Sequence, residues 1–196
     1  MFIQIIQGKC NRPDELRAMA RSWREELSDG AEGWLGGTYG FTDDDEFIGV
    51  VRFESREAAM ANSGRPEQAA WAEQMMALMD GPVEFHDCDD VMLFMDGGSD
   101  DAGFVQVIRG RTEDPGRIKA MLADTTTLHE MRPDIIGGSV AIEADGTFTE
   151  TIAFRDEASA RTGEQMEPPP EVRAELESMM AGARFYDLHD PWFESH

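Results

Sequence analysis

Lysine is almost absent: Lys9 and Lys119 are the only two among 196 residues. With 40 acidic side chains against 17 basic ones, the formal charge is −23. A surface this acidic repels nucleic acid and anionic lipid, so neither is expected as a partner. Cysteine is equally scarce. Cys10 and Cys88 stand alone, and two free thiols in a cytoplasmic chain are the expectation. No apolar run approaches the roughly 20 residues that span a bilayer. The N-terminus enters a strand pattern at once, without a basic region or cleavage site, so no signal peptide is expected. There is no P-loop, no strand-linked GxGxxG, no CxxC and no HExxH. ATP hydrolysis, Rossmann-type dinucleotide binding, thioredoxin-type redox chemistry and zinc proteolysis therefore lack a sequence basis.

What the chain does have is itself, twice. Phe2-Ile3-Gln4-Ile5-Ile6-Gln7-Gly8-Lys9 returns as Phe104-Val105-Gln106-Val107-Ile108-Arg109-Gly110-Arg111. Pro13 returns as Pro115, Gly36-Gly37 as Gly137-Gly138, and Phe85-His86-Asp87 as Phe185-Tyr186-Asp187. One unit of about a hundred residues is used twice, and that settles the organisation before any other reading. The expected divisions are a first repeat over 1–94, a Gly/Asp-rich linker over 95–103 and a second repeat over 104–196.

Within a repeat the periodicities alternate. Residues 2–9 are apolar on both faces, as a strand covered on both sides would be. Pro13 opens a helix whose apolar face is Leu16, Met19, Ala20, Trp23 and Leu27. Two strands follow, Trp34–Phe41 and Glu46–Glu54, joined by a polar turn; its counterpart contains Asp145-Gly146, a hairpin signal. Ser55 and Asp156 are the expected N-caps of a second helix. That helix breaks at Ser63-Gly64-Arg65-Pro66 and carries Trp71, Met75 and Leu78 on one face. A last strand is expected from Val83 to about Phe94. Strand, helix, strand, strand, helix, strand is the ferredoxin-like split βαβ order. Phe47, Val51 and Phe53 alternate with Ile48 and Val50, so both faces of that sheet need cover. The fold expected is α+β: two tandem ferredoxin-like (βαββαβ) repeats packed sheet to sheet as an intramolecular dimeric α/β barrel. Such a chain needs no partner to complete a barrel, so a monomer or a homodimer is expected.

The chain resembles the dimeric α/β-barrel superfamily, and within it the antibiotic-biosynthesis-monooxygenase-like proteins. The resemblance rests on the element order and on Phe53-Glu54-Ser55-Arg56-Glu57-Ala58-Ala59, Arg65-Pro66-Glu67-Gln68, Trp71 and Gly81-Pro82-Val83-Glu84-Phe85-His86-Asp87. The second half echoes it with Phe154-Arg155-Asp156-Glu157-Ala158, Pro168-Pro169-Pro170 and Phe185-Tyr186-Asp187. It implies a pocket between sheet and helices, lined by Asn, Trp, Tyr and Arg, in which a deprotonated aromatic substrate reacts with oxygen without metal or flavin. Asn62 and Trp71 match the family's Asn and Trp on the second helix, although no tyrosine follows Trp71. The end of that helix has no histidine in either half, which argues against haem degradation. The resemblance thus implies no cofactor.

Several other residues could carry chemistry. Ile118, Met121, Leu122, Thr125 and His129 repeat the first helix's apolar face, putting His129 where Leu27 stands. There it could act as a base toward a bound phenol, or cap a helix end against a backbone carbonyl. Trp23 becomes Thr125, and this loss of bulk beside His129 points to a pocket in the second half. His86 and Tyr186 are either pocket liners or strand residues whose tips reach water. Arg132 either binds an anionic substrate or pairs with Asp134. Gln4 and Gln106 either hydrogen-bond across the two sheets or line a pocket. His86, Asp87, Cys88, Asp89 and Asp90 alternate in direction, so no metal site is expected there. The functional expectation is a monooxygenase-like protein that binds or oxidises a small aromatic or polyketide-like compound, with His129 as catalytic residue. Asn62, Trp71, His86, Tyr186 and Arg132 would bind substrate. The alternative is a non-catalytic ligand-binding or stress-related barrel. In either case a small hydrophobic or aromatic ligand is the expected partner.

Overall fold

The computed structural model describes residues 1–168 and 170–195. Pro169, in the triple-proline stretch, and His196 lie outside the described residues, as do the side chains of Glu171, Val172 and Glu175. The element order is β1 (Phe2–Lys9), α1 (Pro13–Glu26), β2 (Trp34–Phe41), β3 (Glu46–Phe53), α2 (Arg56–Ser63), α3 (Pro66–Leu78), β4 (Glu84–Cys88) and β5 (Asp90–Phe94). The second half follows with β6 (Phe104–Arg111), α4 (Pro115–Ala123), α5 (Thr125–Met131), β7 (Ile135–Ile142), β8 (Thr147–Phe154), α6 (Glu157–Glu164), α7 (Pro170–Met180) and β9 (Arg184–Ser195). Two tandem ferredoxin-like repeats, α+β with antiparallel strands, are thus present.

The caps expected from sequence hold both second helices. Ser55 Oγ accepts from Ala58 N at 3.2 Å, and Asp156 Oδ1 accepts from Ser159 N at 2.7 Å. Each cap satisfies one of the amides that a first helical turn leaves open. Pro66 then restarts the helix as α3 after the break at Ser63–Arg65.

The chain divides into two compact units. The first is Met1–Asp89 together with the segment from Trp192 onward; the second is Asp90–Pro191. The first unit orders its strands β4-β1-β3-β2, with the end of β9 beside β2. The second orders them β9-β6-β8-β7-β5. The strand expected as one run, Val83 to Phe94, is therefore two. It pairs with β1 as far as Cys88, and from Asp90 it pairs with β7. The interruption is Asp89, whose carboxylate is held by Arg56 Nη2 at 2.7 Å. The corresponding interruption in β9 is Asp190, at φ +47, followed by Pro191. The compact units thus divide at Asp89/Asp90, whereas the sequence repeats divide at the 95–103 segment.

Each unit has its own core. In the second, Phe104, Phe148, Phe154, Ile108, Ile118 and Leu122 pack between sheet and helices. In the first, Trp23, Trp34, Phe2 and Phe53 form one cluster and Leu16, Phe47, Met75 and Trp192 another, with Trp71 packed against both. Several methionines of the helical segments serve these cores: Met75 and Met79 are buried, and Met179 and Met180 pack against the second core, whereas Met60 and Met76 are exposed.

Candidate functional site

The gap between the two clusters of the first unit is a cavity of about 90 Å³, partly open to solvent. The sheet contributes Gln4 and Ile6 from β1, Trp34 and Tyr39 from β2, and Phe47, Val51 and Phe53 from β3. α1 contributes Leu16, Ala20 and Trp23; α2 contributes Ala59, Asn62 and Ser63; α3 contributes Gln68, Trp71 and Met75. Every helical liner except Ser63 continues an apolar stripe or sits beside one, which is why the helices present these residues to the sheet.

Aromatic rings dominate the walls. Trp23 lies edge-on to Trp34 at 5.0 Å and to Trp71 at 6.4 Å between centroids. Tyr39 stacks on Trp192 at 5.5 Å. Its phenol lies directly over Gly37, where an added Cβ would come within 2.1 Å of the hydroxyl oxygen. The ring therefore depends on glycine at that neighbouring strand position. Burial pushes the Tyr39 phenol well above its ordinary value, only partly opposed by Arg52, so it stays a neutral O–H.

The polar groups can be assigned from their partners. Arg65 Nη1 donates to Asn62 Oδ1 at 2.9 Å. A guanidinium has donors only, so the amide oxygen must face it and the Asn62 NH₂ group turns the other way. Among the described residues no hydrogen-bond partner occupies that NH₂ group, although Asn62 is only 6% exposed. Gln68 is set in the same manner, because its Oε1 accepts from the donor-only Trp23 Nε1 at 2.5 Å. Trp71 Nε1 is committed to the Met19 carbonyl. Gln4 Nε2 donates to Asp87 Oδ1 at 2.9 Å, which leaves its oxygen as the acceptor end. The cavity is thus an aromatic box with two amide NH₂ groups and a phenol O–H on its walls, and Tyr39 is its only titratable lining residue.

Of the residues singled out in the sequence, the structure brings Asn62 and Trp71 into this cavity and not the others. His129 is exposed. The helix expected to carry it on a sheet-facing stripe breaks at Asp124, whose carboxylate caps α5 by accepting from Thr127 N. The restart shifts the stripe, and Leu128, not His129, packs against the core. A base facing the sheet from position 129 is thereby corrected. His86 lies opposite Ile5 and Tyr186 opposite Val107. Both sit on the strand face turned away from Gln4 and Gln106, so neither reaches the helix-facing side. Arg132 makes a two-pronged pair with Asp134 at 2.7–3.2 Å and lies over the Phe154 ring. Gln4 and Gln106 bond to the directly opposed strand residues Asp87 and Asp187 inside their own units, not across from one half to the other.

The cavity lies in the first unit, whereas the sequence pointed to a pocket in the second half. At the positions of Tyr39, Trp34, Trp23 and Asn62 it has Val140, Ile135, Thr125 and Gly163. The place of the Asn62 side chain is taken by the Arg132–Asp134 pair, since a Cβ at Gly163 would meet Asp134 Oδ2 at 2.4 Å. Trp34, Tyr39 and Gln68 were the lining residues that sequence reasoning missed. The loss of their counterparts in the second half was the available signal.

No family model and no curated protein matches this chain. Solved structures do. A candidate monooxygenase from Lactobacillus acidophilus superposes with a TM-score of 0.71 at 13% identity, over 95% of this chain and 92% of that one. A candidate monooxygenase from Fusobacterium nucleatum gives 0.76 at 10% identity, over 99% and 94%. An anthrone oxidase-like protein gives 0.68 at 10% identity, over 99% and 92%. At these identities the likeness is one of fold. This chain carries twice the ferredoxin-like fold, which is also that of a Listeria monocytogenes protein related to antibiotic biosynthesis monooxygenases, at a TM-score of 0.50, 11% identity and 96% and 94% coverage.

Proposed function

We propose that the first unit binds a small aromatic or polyketide-like compound in the Trp23–Trp34–Trp71–Tyr39 cavity and oxidises it with molecular oxygen, without a tightly bound metal. The observation that carries this reading is the pairing of an aromatic box with donor groups whose acceptor ends are already committed. Flat rings stack on such walls, and N–H and O–H donors stabilise negative charge as it develops on a ligand oxygen. An anthrone is the model substrate, because the fold neighbours include an anthrone oxidase-like protein. Its CH₂ becomes C=O, one oxygen atom enters the product and the other leaves as water. The cavity wall carries no carboxylate, histidine or lysine. The acidic C–H proton must therefore leave to solvent, with the amide donors holding the enolate.

The absence of a base among those lining residues also favours a second reading, binding without turnover. One experiment separates the two. The purified protein is titrated with 1,8-dihydroxyanthrone, following thermal stability and oxygen uptake together. Stabilisation with one O₂ consumed per quinone formed is expected, weakened at least tenfold by Asn62→Ala or Trp71→Ala and unchanged by His129→Ala. Stabilisation without oxygen uptake leaves the binding module. Neither response discards the cavity as a site for this class.

A further inference from the structure

We propose that Arg65 is a positioning residue that fixes the Asn62 amide with its NH₂ group toward the cavity, so that the first unit selects ligands with an oxygen acceptor at that place. The proposal rests on the cavity being a ligand site and goes beyond it by assigning the source of its selectivity.

Free asparagine amides turn over readily, and their two ends differ only in donor and acceptor character. A site that must read an acceptor needs the amide held one way. Arg65 supplies the hold. Its Nη1 donates to Asn62 Oδ1 at 2.9 Å and to the Leu27 carbonyl at 3.1 Å, while Nε donates to Glu67 Oε1 at 3.0 Å. Nη2 lies against Gly30, where a Cβ would stand only 2.5 Å away. Three elements thus clamp one rigid fork, and its side chain is 18% exposed. With a donor-only group locked in place, turning the amide would set N–H against N–H in a buried setting, which is costly. The guanidinium charge also polarises the amide and strengthens donation from its far end.

The second unit is the internal control. There Asn62 and Arg65 are replaced by Gly163 and Met166, in the same half that lacks the aromatic box. Met166 is 48% exposed. The clamp and the aromatic residues of the cavity stand together in the first repeat and are replaced together in the second.

The test uses three bicyclic probes of one size: indane with no polar group, 1-indanone with a carbonyl acceptor, and indole with an N–H donor only. Binding is followed by isothermal titration calorimetry on the intact protein. Wild type is expected to bind 1-indanone about tenfold more tightly than indane, the worth of one good hydrogen bond, and indole no more tightly than indane. In Arg65→Met the indanone advantage should fall several-fold and indole should gain, while indane affinity holds. Arg65→Lys should restore part of the preference. Asn62→Asp, which keeps the pair and turns an oxygen inward, should invert it toward indole; this variant decides the matter if Arg65→Met fails to fold. An indanone-to-indane ratio equal in wild type and folded Arg65→Met overturns the role of Arg65 and leaves the cavity reading standing. Failure of wild type to bind any of the three overturns both.

Discussion

Glu150 is the residue least at ease in this molecule. It stands on β8 between Phe148 and Ile152, both members of the second core, and is 6% exposed. Burial lifts the pKa of its carboxyl group from 4.5 to about 7, opposed only by Arg132. The folded state therefore holds this proton at pH values where the unfolded chain has released it. Between about pH 4.5 and 7 the native form binds more protons, so its contribution to stability falls as pH rises and stays low above 7. The shift corresponds to about 3 kcal/mol at one pKa unit per 1.36 kcal/mol. Glu150→Gln keeps the shape and removes the ionisation. Urea unfolding at pH 5.5 and pH 8 should show the variant gaining on wild type at the higher pH only. Equal differences at both would mean that the carboxyl group is hydrated in the native state. Nothing in the sequence singles Glu150 out, because its counterpart is Gly49 and an alternating strand reads the same with glutamate facing either way.

At the level of elements, the patterns that were legible are those written in local chemistry. Ser55 and Asp156 announce their helices because a cap is a contact within four residues, and Pro13, Pro66 and Pro115 mark helix starts for the same reason. Two features escaped, both set by competition with a second local signal or by long-range pairing. Asp124-Thr125-Thr126-Thr127 is itself a cap sequence, and it cuts a continuous apolar stripe into α4 and α5. That cut displaced His129 from the sheet. The break of the last strand at Asp89 depends on which strand is nearest, β1 before it and β7 after it. Periodicity carries no record of that choice. Asp124→Ala offers a direct check on the helix. Losing the bonds to Thr127 N and Oγ1 should cost about 1 kcal/mol in denaturant unfolding, without altering binding in the first unit. A change in probe affinity would show that α5 reports to the cavity after all.

Across the whole molecule, duplication has given two units with one fold and unequal contents. Family resemblance singled out Asn62 and Trp71 as candidate pocket residues, and both line the cavity of the first unit, while the loss of bulk at Thr125 pointed to the second. Substituting small for large, as in Trp23 to Thr125, looks like an opening on paper; where Asn62 gives way to Gly163, the Arg132–Asp134 pair takes the room that a side chain would need. The sequence repeat is also not the unit that packs. Trp192 belongs to the first unit although nearly the whole second repeat precedes it. It is 8% exposed, its ring lies 5.5–6.1 Å from Tyr39, Phe41 and Phe47, and Arg17 sits over it at 4.7 Å. Tyr39 is a cavity wall, so the C-terminal segment supports the site from behind. Trp192→Ala should cost about 3–5 kcal/mol, as buried tryptophan truncations do, and most of that loss should fall on the first unit. Hydrogen exchange read by mass spectrometry makes the distinction: amides of β2 and β3 should lose protection while those of β6 and β8 keep it. Uniform loss across both repeats would show instead that the two units unfold as one, and that the division at Asp89 has no energetic counterpart.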